Sequence, residues 1–91
     1  MSTECNGTPE DEAPQLIMFC RAWCGDCRHA RIWLQEHNIP YTEIDVDEDL
    51  VARARAASHN AGRLHTPTFE FGDGVCVDFR CEELMKLLGI E

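Results

Sequence analysis

The chain has no long hydrophobic run and little positive charge, and each shortage removes a class of function. No apolar stretch approaches the roughly 18 residues of a membrane-spanning helix. Lysine and arginine together number 8 against 17 aspartates and glutamates, for a formal net charge of -9. A nucleic-acid binder needs the opposite sign to neutralise phosphates. The acidic, polar start lacks the basic and apolar blocks of a signal peptide. There are 4 histidines, and no two stand in a His-x-x-x-His spacing. The expectation is a cytoplasmic, monomeric protein that binds neither nucleic acid nor membrane.

Cysteine, by contrast, is plentiful: 6 in 91 residues. In a small secreted chain that number would suggest a disulfide scaffold. Here the hydrophobic content of 44% is ordinary for a globular domain, so one core can form without cross-links or metal. The thiols are therefore read as largely reduced, with Cys5 an exposed spare.

Residues Met1 to Pro14 hold Asn6-Gly7-Thr8-Pro9, the cluster Glu10-Asp11-Glu12 and no apolar periodicity, which reads as a disordered acidic leader. The domain is expected over residues 15–91. Gln15 to Cys20 is a continuous apolar run, as in a strand buried on both faces. From Gly25 to Glu36, Cys27, Ala30, Trp33 and Leu34 recur at helical spacing and predict one buried face. Asn38-Ile39-Pro40 ends that helix, and Tyr41 to Val46 reads as a second strand. Asp47 or Asp49 can cap an Ala- and Arg-rich helix running to about Ser58. Thr68–Phe71 and Val75–Asp78 flank Gly72-Asp73-Gly74, a hairpin signature. The last helix is expected to carry Cys81, Leu84, Leu87 and Leu88 inward, with Glu82 and Glu83 in its first turn. The order is β-α-β-α-β-β-α. The first two strands, joined by a helix, must be parallel.

Cys24-Gly25-Asp26-Cys27 closes where the first strand gives way to the first helix. Zinc sites share this spacing, but a closed four-ligand site usually needs a second such pair, and Cys76 and Cys81 are too far apart. At a helix N-terminus, free backbone N–H groups and the helix dipole favour an anion, so the leading thiol ionises more readily. Residues i and i+3 lie roughly 5–6 Å apart on a helix, close to the Cα separation a disulfide tolerates. Cys24 is thus the candidate nucleophile and Cys27 the candidate resolving thiol. Asp26 between them opposes a thiolate, while Arg21, Arg28 and Arg31 favour it. Trp23 offers an apolar surface beside Cys24. Cys20 is expected to be buried and inert.

With these elements in this order, residues 15 to 89 resemble the glutaredoxin branch of the thioredoxin-fold superfamily. The resemblance is carried by Phe19 through Cys27, by Tyr41 through Asp47 and by Thr66-Pro67 before the third strand. The close hairpin and short last helix look like those of mycoredoxins and of the small redoxins that serve ribonucleotide reductase. It implies an α/β, thioredoxin-like fold with a four-stranded mixed sheet flanked by helices. It also implies a Cys24–Cys27 redox pair acting on protein disulfides or low-molecular-weight mixed disulfides. A low-molecular-weight thiol or a reductase would return the electrons, and no resident cofactor or metal is called for. By the same resemblance, Pro67 follows a cis bond facing the disulfide, and Arg21 and Thr66 contact a thiol ligand together with Trp23 and Pro67. Glu83 matches an acid that contacts the glutathione amine. Phe79-Arg80, however, stands where glutathione users have Gly-Gly, and those side chains block the close backbone approach glycine allows. The alternative in this family is an iron–sulfur carrier, in which the leading cysteines of two protomers hold a cluster with glutathione. Gly25 in place of the usual proline is the feature that favours it.

Overall fold

In the computed structural model, residues 15–90 are described, and the leader lies outside them. Strand β1 (Leu16–Cys20) is followed by helix α1 (Gly25–Glu36), strand β2 (Tyr41–Asp45) and helix α2 (Leu50–Ser58). Strands β3 (Thr68–Phe71) and β4 (Gly74–Val77) and helix α3 (Cys81–Leu88) complete the order expected from the sequence. The strands lie side by side as β2-β1-β3-β4, with β1 parallel to β2 and antiparallel to β3.

The alternating side chains of β1 explain both its central place and its unbroken apolar run. Successive residues of a strand point to opposite faces. Leu16, Met18 and Cys20 enter a cluster with Cys27, Ala30 and Leu34 of α1, Phe69 and Cys76 of the hairpin, and Leu84 of α3. Phe19 enters the opposite cluster with Val46 and with Ala52 and Ala56 of α2, and Ile17 packs against it. Both faces of β1 are covered, with Ile17 alone only partly buried, so an apolar residue suits every position. Each large side chain buried this way contributes about 1.5–3 kcal/mol. The edge strand β2 instead exposes Thr42 and Glu43.

The helix ends follow their local chemistry. Asp49 caps α2 through a 3.0 Å bond from the Ala52 N–H, the side-chain acceptor that an unpaired first turn needs. Asn38, just beyond α1, takes a left-handed conformation (φ 56°), and α3 ends on left-handed Gly89, a common helix-terminating device. At the hairpin, Phe71 pairs with Gly74 across the two-residue turn Gly72-Asp73. A Cβ on Gly74 would overlap Leu87 Cδ1, so glycine lets α3 close over the turn.

Two inward assignments from the sequence need correction. Cys81 is exposed, and Leu84 is the fully buried residue of α3. The chain turns at Asp78, which has φ 77°, and Phe79 packs against the core cluster before α3 begins. That leaves the first residue of the helix outside. Trp33 is only partly buried: it borders the core, stacked on His37 at 4.2 Å and edge-on to Phe79 at 6.0 Å.

Candidate active site

The strand register brings the two halves of the site together. Because Phe19 of β1 is opposite Thr68 of β3, the loop leaving β1 runs beside the loop entering β3. The first loop carries Cys24 and the second carries Thr66-Pro67, whose peptide bond is cis. Pro67 is fully buried. Its carbonyl accepts the Asp78 N–H at 2.9 Å, which ties this loop to the exit of β4.

Cys24 is the N-cap of α1, with extended backbone (φ -86°, ψ 120°). Its Sγ accepts the Cys27 backbone N–H at 3.3 Å, in the place a serine or aspartate oxygen takes in ordinary caps. Thr66 reaches the same sulfur twice. Its Oγ1 lies at 3.4 Å as donor and its carbonyl oxygen at 3.5 Å as acceptor of the thiol proton. The Cys27 N–H and the Thr66 hydroxyl suit a thiolate and the Thr66 carbonyl suits a thiol, so the sulfur has partners in both states. Cys24 is half-buried, whereas Cys27, one turn inward, is fully buried.

Around this pair the charged residues are mutually engaged. Arg21 bonds Asp47 at 3.1 Å and stacks its guanidinium over Trp23, 5.1 Å from the ring centre. Trp23 is 73% exposed, so most of its ring is an open apolar surface next to Cys24. Arg31 grips Glu43 with Nε and Nη2 and also donates to the Arg21 carbonyl at 3.3 Å. The Glu43 hydrogen bonds hold the Arg31 guanidinium charged well beyond its ordinary range. Its grip on the Arg21 carbonyl fixes the backbone that leads into Cys24. Asp26 is an exposed acid in the first turn of α1.

Of the residues singled out from the sequence, Cys24, Cys27 and Thr66 converge, with Pro67 beside Thr66 in the same loop and Trp23 adjoining Cys24. Arg21 is near but directed to Asp47. Glu83 is drawn instead to Arg80 at 3.4 Å. Phe79 faces the core and Arg80 is exposed at the start of α3. Arg31, read from the sequence only as a charge favouring the thiolate, is held by its pairing across to β2. Cys20, expected to be buried, lies in the same buried cluster as Cys27. Among the described residues no cluster of three or more His, Cys, Asp and Glu side chains could hold a metal ion. Nor is any helix there long and apolar enough to cross a membrane.

Comparison with known proteins agrees with this geometry. A family model described as Glutaredoxin matches residues 16–76. A Mycobacterium tuberculosis (strain H37Rv) protein provisionally described as a glutaredoxin is 32% identical over 59 residues, 65% of this chain and 70% of that protein. A shorter stretch of 31 residues is 52% identical to the global transcriptional regulator Spx of Staphylococcus aureus (strain N315), covering 34% of this chain and 24% of the regulator. Among solved structures, a single-residue variant of the thioredoxin-like protein BC3987 superposes with a TM-score of 0.74 at 30% identity, over 85% of this chain and 97% of that one. The glutaredoxin of Archaeoglobus fulgidus superposes with a TM-score of 0.70 over 94% of this chain and 98% of its own, and at 16% identity it speaks to the fold alone. The matched family, the mycobacterial relative and the Cys-x-x-Cys set against a cis-proline loop agree that this chain belongs to the glutaredoxin family.

Proposed function

We propose that this protein is a dithiol oxidoreductase that reduces protein disulfides or low-molecular-weight mixed disulfides through Cys24 and Cys27. The observation that carries the reading is the difference in access between two sulfurs one helical turn apart. Only Cys24 can meet an incoming disulfide; Cys27 is 0% exposed and can attack only something already attached at Cys24.

The Cys24 thiolate attacks one sulfur of the target, forming a mixed disulfide and expelling the other sulfur as a thiolate that takes a proton from water. Cys27, as thiolate, then attacks Cys24 Sγ. The bond to the substrate breaks, its sulfur leaves with the electron pair, and the Cys24–Cys27 disulfide remains. Two electrons have passed to the substrate. An external thiol or a reductase restores the dithiol. The Thr66 backbone beside the cis bond offers an extended substrate a place to pair, in the manner of strand addition. Trp23 supplies the apolar contact and Arg21 holds it through stacking.

Incubation with an oxidised substrate followed by mass spectrometry tests the roles. Cys27→Ser should accumulate mixed disulfide, and Cys24→Ser should form none. Equal adducts on both variants would overturn the assignment. Brown, visibly absorbing protein from anaerobic purification would support the iron–sulfur carrier instead.

A further inference from the structure

The residue that fastens the Thr66 loop has an unfavourable backbone for its type. Asp78, at the exit of β4, has φ 77°, a conformation glycine takes without steric cost and other residues take at a loss. A glycine there would keep the 2.9 Å bond from the N–H to the Pro67 carbonyl. What the aspartate adds is a carboxylate. Its Oδ1 accepts the Phe79 N–H at 2.7 Å and lies 3.3 Å from His65 Nε2. We propose that Asp78 is a positioning residue for substrate capture: through His65, its carboxylate holds the Thr66 hydroxyl on the Cys24 sulfur. This inference rests on the reading of Cys24 as the nucleophile.

The geometry fixes Thr66 from both sides. His65 precedes it, with its ring drawn to Asp78 and its carbonyl accepting the Thr68 hydroxyl at 2.6 Å. Pro67 follows it, with its carbonyl on the Asp78 N–H. Between these points Thr66 Oγ1 meets Cys24 Sγ at 3.4 Å. His65 Nε2 is enclosed, although the side chain as a whole is 43% exposed, and it makes no well-aligned hydrogen bond among the described residues. The charge of the carboxylate is therefore its compensation, and a nitrogen this close to a carboxylate must carry its proton. Asp78 is suited to that part. Burial alone would raise its carboxyl, but the Phe79 N–H and then His65 hold it below the usual carboxylate range. Arg80 acts in the same direction, while its own ion pair is with Glu83.

No atom or electron passes through Asp78 or His65. Cys24 gives its electron pair to one substrate sulfur, the other leaves as thiolate and takes a proton from water, and the Thr66 hydroxyl keeps its hydrogen. A hydroxyl held on Cys24 stabilises the attacking thiolate. A loosened loop leaves that sulfur with the Cys27 N–H as its remaining donor among the described residues.

The test is capture in a single turnover, with Cys27→Ser as the parent. The probe is a peptide bearing a nitrothiobenzoate mixed disulfide, which releases a coloured thiolate, and the Cys24→Ser signal is subtracted as background. Asp78→Gly, which suits the backbone and lacks the carboxylate, should slow capture about tenfold. Asp78→Asn accepts the left-handed conformation and keeps an oxygen acceptor, so it should recover most of the rate. His65→Ala, which removes the other partner, should slow capture as much as Asp78→Gly, and combining the two should cost no more than either. In a Thr66→Val parent, whose hydroxyl is gone, adding Asp78→Gly should change the rate by less than about twofold. Circular dichroism checks the fold of each variant. Capture at the parent rate in Asp78→Gly or in His65→Ala would overturn the proposal, as would losses that multiply between Asp78→Gly and Thr66→Val. Failure of the nucleophile assignment looks different: the parent would then release no more colour than Cys24→Ser.

Discussion

Replacing Glu70 by glutamine is the perturbation whose size the structure lets one work out most fully. Glu70 lies on β3, its side chain 9% exposed, and its carboxylate accepts from three nitrogens. Arg55 of α2 approaches at 2.9 Å through Nε and 2.5 Å through Nη2, and His59 Nε2 lies 2.6 Å away. Burial by itself would raise the carboxyl, but the His59 and Arg55 hydrogen bonds and the Arg55 charge outweigh it, so it is held below the usual carboxylate range. One such ion pair is worth about 4 kcal/mol at about 4 Å and an effective dielectric of about 20. Two corrections reduce that. The Glu70 carboxylate loses hydration, and Arg55, 59% exposed, is screened by water almost as a surface pair would be. A net loss of about 1–2 kcal/mol is expected for Glu70→Gln at pH 7, or about 5–10 °C in Tm for a domain of this size. The sign with pH follows from the lowered carboxyl. Its contribution is fully present above the unfolded value of about 4.3 and is lost as pH falls through the lower folded value. Urea unfolding of both proteins at pH 7 and near about pH 3 should show curves that are apart at the first and approach each other at the second. Equal stability at pH 7, or a gap that survives undiminished in acid, would refute the reasoning.

Other consequences are quicker to state. Leu84→Ala should cost about 2–5 kcal/mol by denaturant unfolding, because Leu84 is the fully buried residue of α3, with Leu87 and Leu88 only partly buried beside it. Gly74→Ala should destabilise by about 1–3 kcal/mol, since the new methyl overlaps Leu87; shortening that partner in a Gly74→Ala/Leu87→Ala double variant should make the two losses less than additive. Asp26→Asn should raise the reduction potential of the Cys24–Cys27 couple by about 10–20 mV, because an exposed carboxylate weakly opposes the thiolate of the reduced form. Redox equilibration at low and high salt checks it, since the charge effect must shrink as salt rises; a shift toward more negative potential would rule it out.

The legible part of this protein was the part written in neighbouring residues. The apolar run Leu16–Cys20, the helical spacing of Cys27, Ala30 and Leu34, and the hairpin at Gly72-Asp73 each record a local period or turn preference. They yielded the element order and the placing of Cys24 at a helix start. The same locality explains the miss at Cys81. Its spacing to Leu84 and Leu88 is right for an inward face, but Asp78 redirects the chain and Phe79 takes the space instead.

By itself, then, the sequence determined the elements, their order and the place of the Cys-x-x-Cys at a helix start, because backbone hydrogen bonding and side-chain periodicity act over a few residues. Only the tertiary structure decided which distant groups meet. The antiparallel register of β1 with β3 puts Thr66 on the Cys24 sulfur, 42 positions away. The parallel register with β2 lets Arg31 reach Glu43, and packing of α2 over β3 closes Arg55 and His59 around Glu70. Cys20 and Cys27 enter one buried cluster for the same reason. A strand sends alternate residues to opposite faces, and only the seating of α1 on one of them determines which side chains share its core.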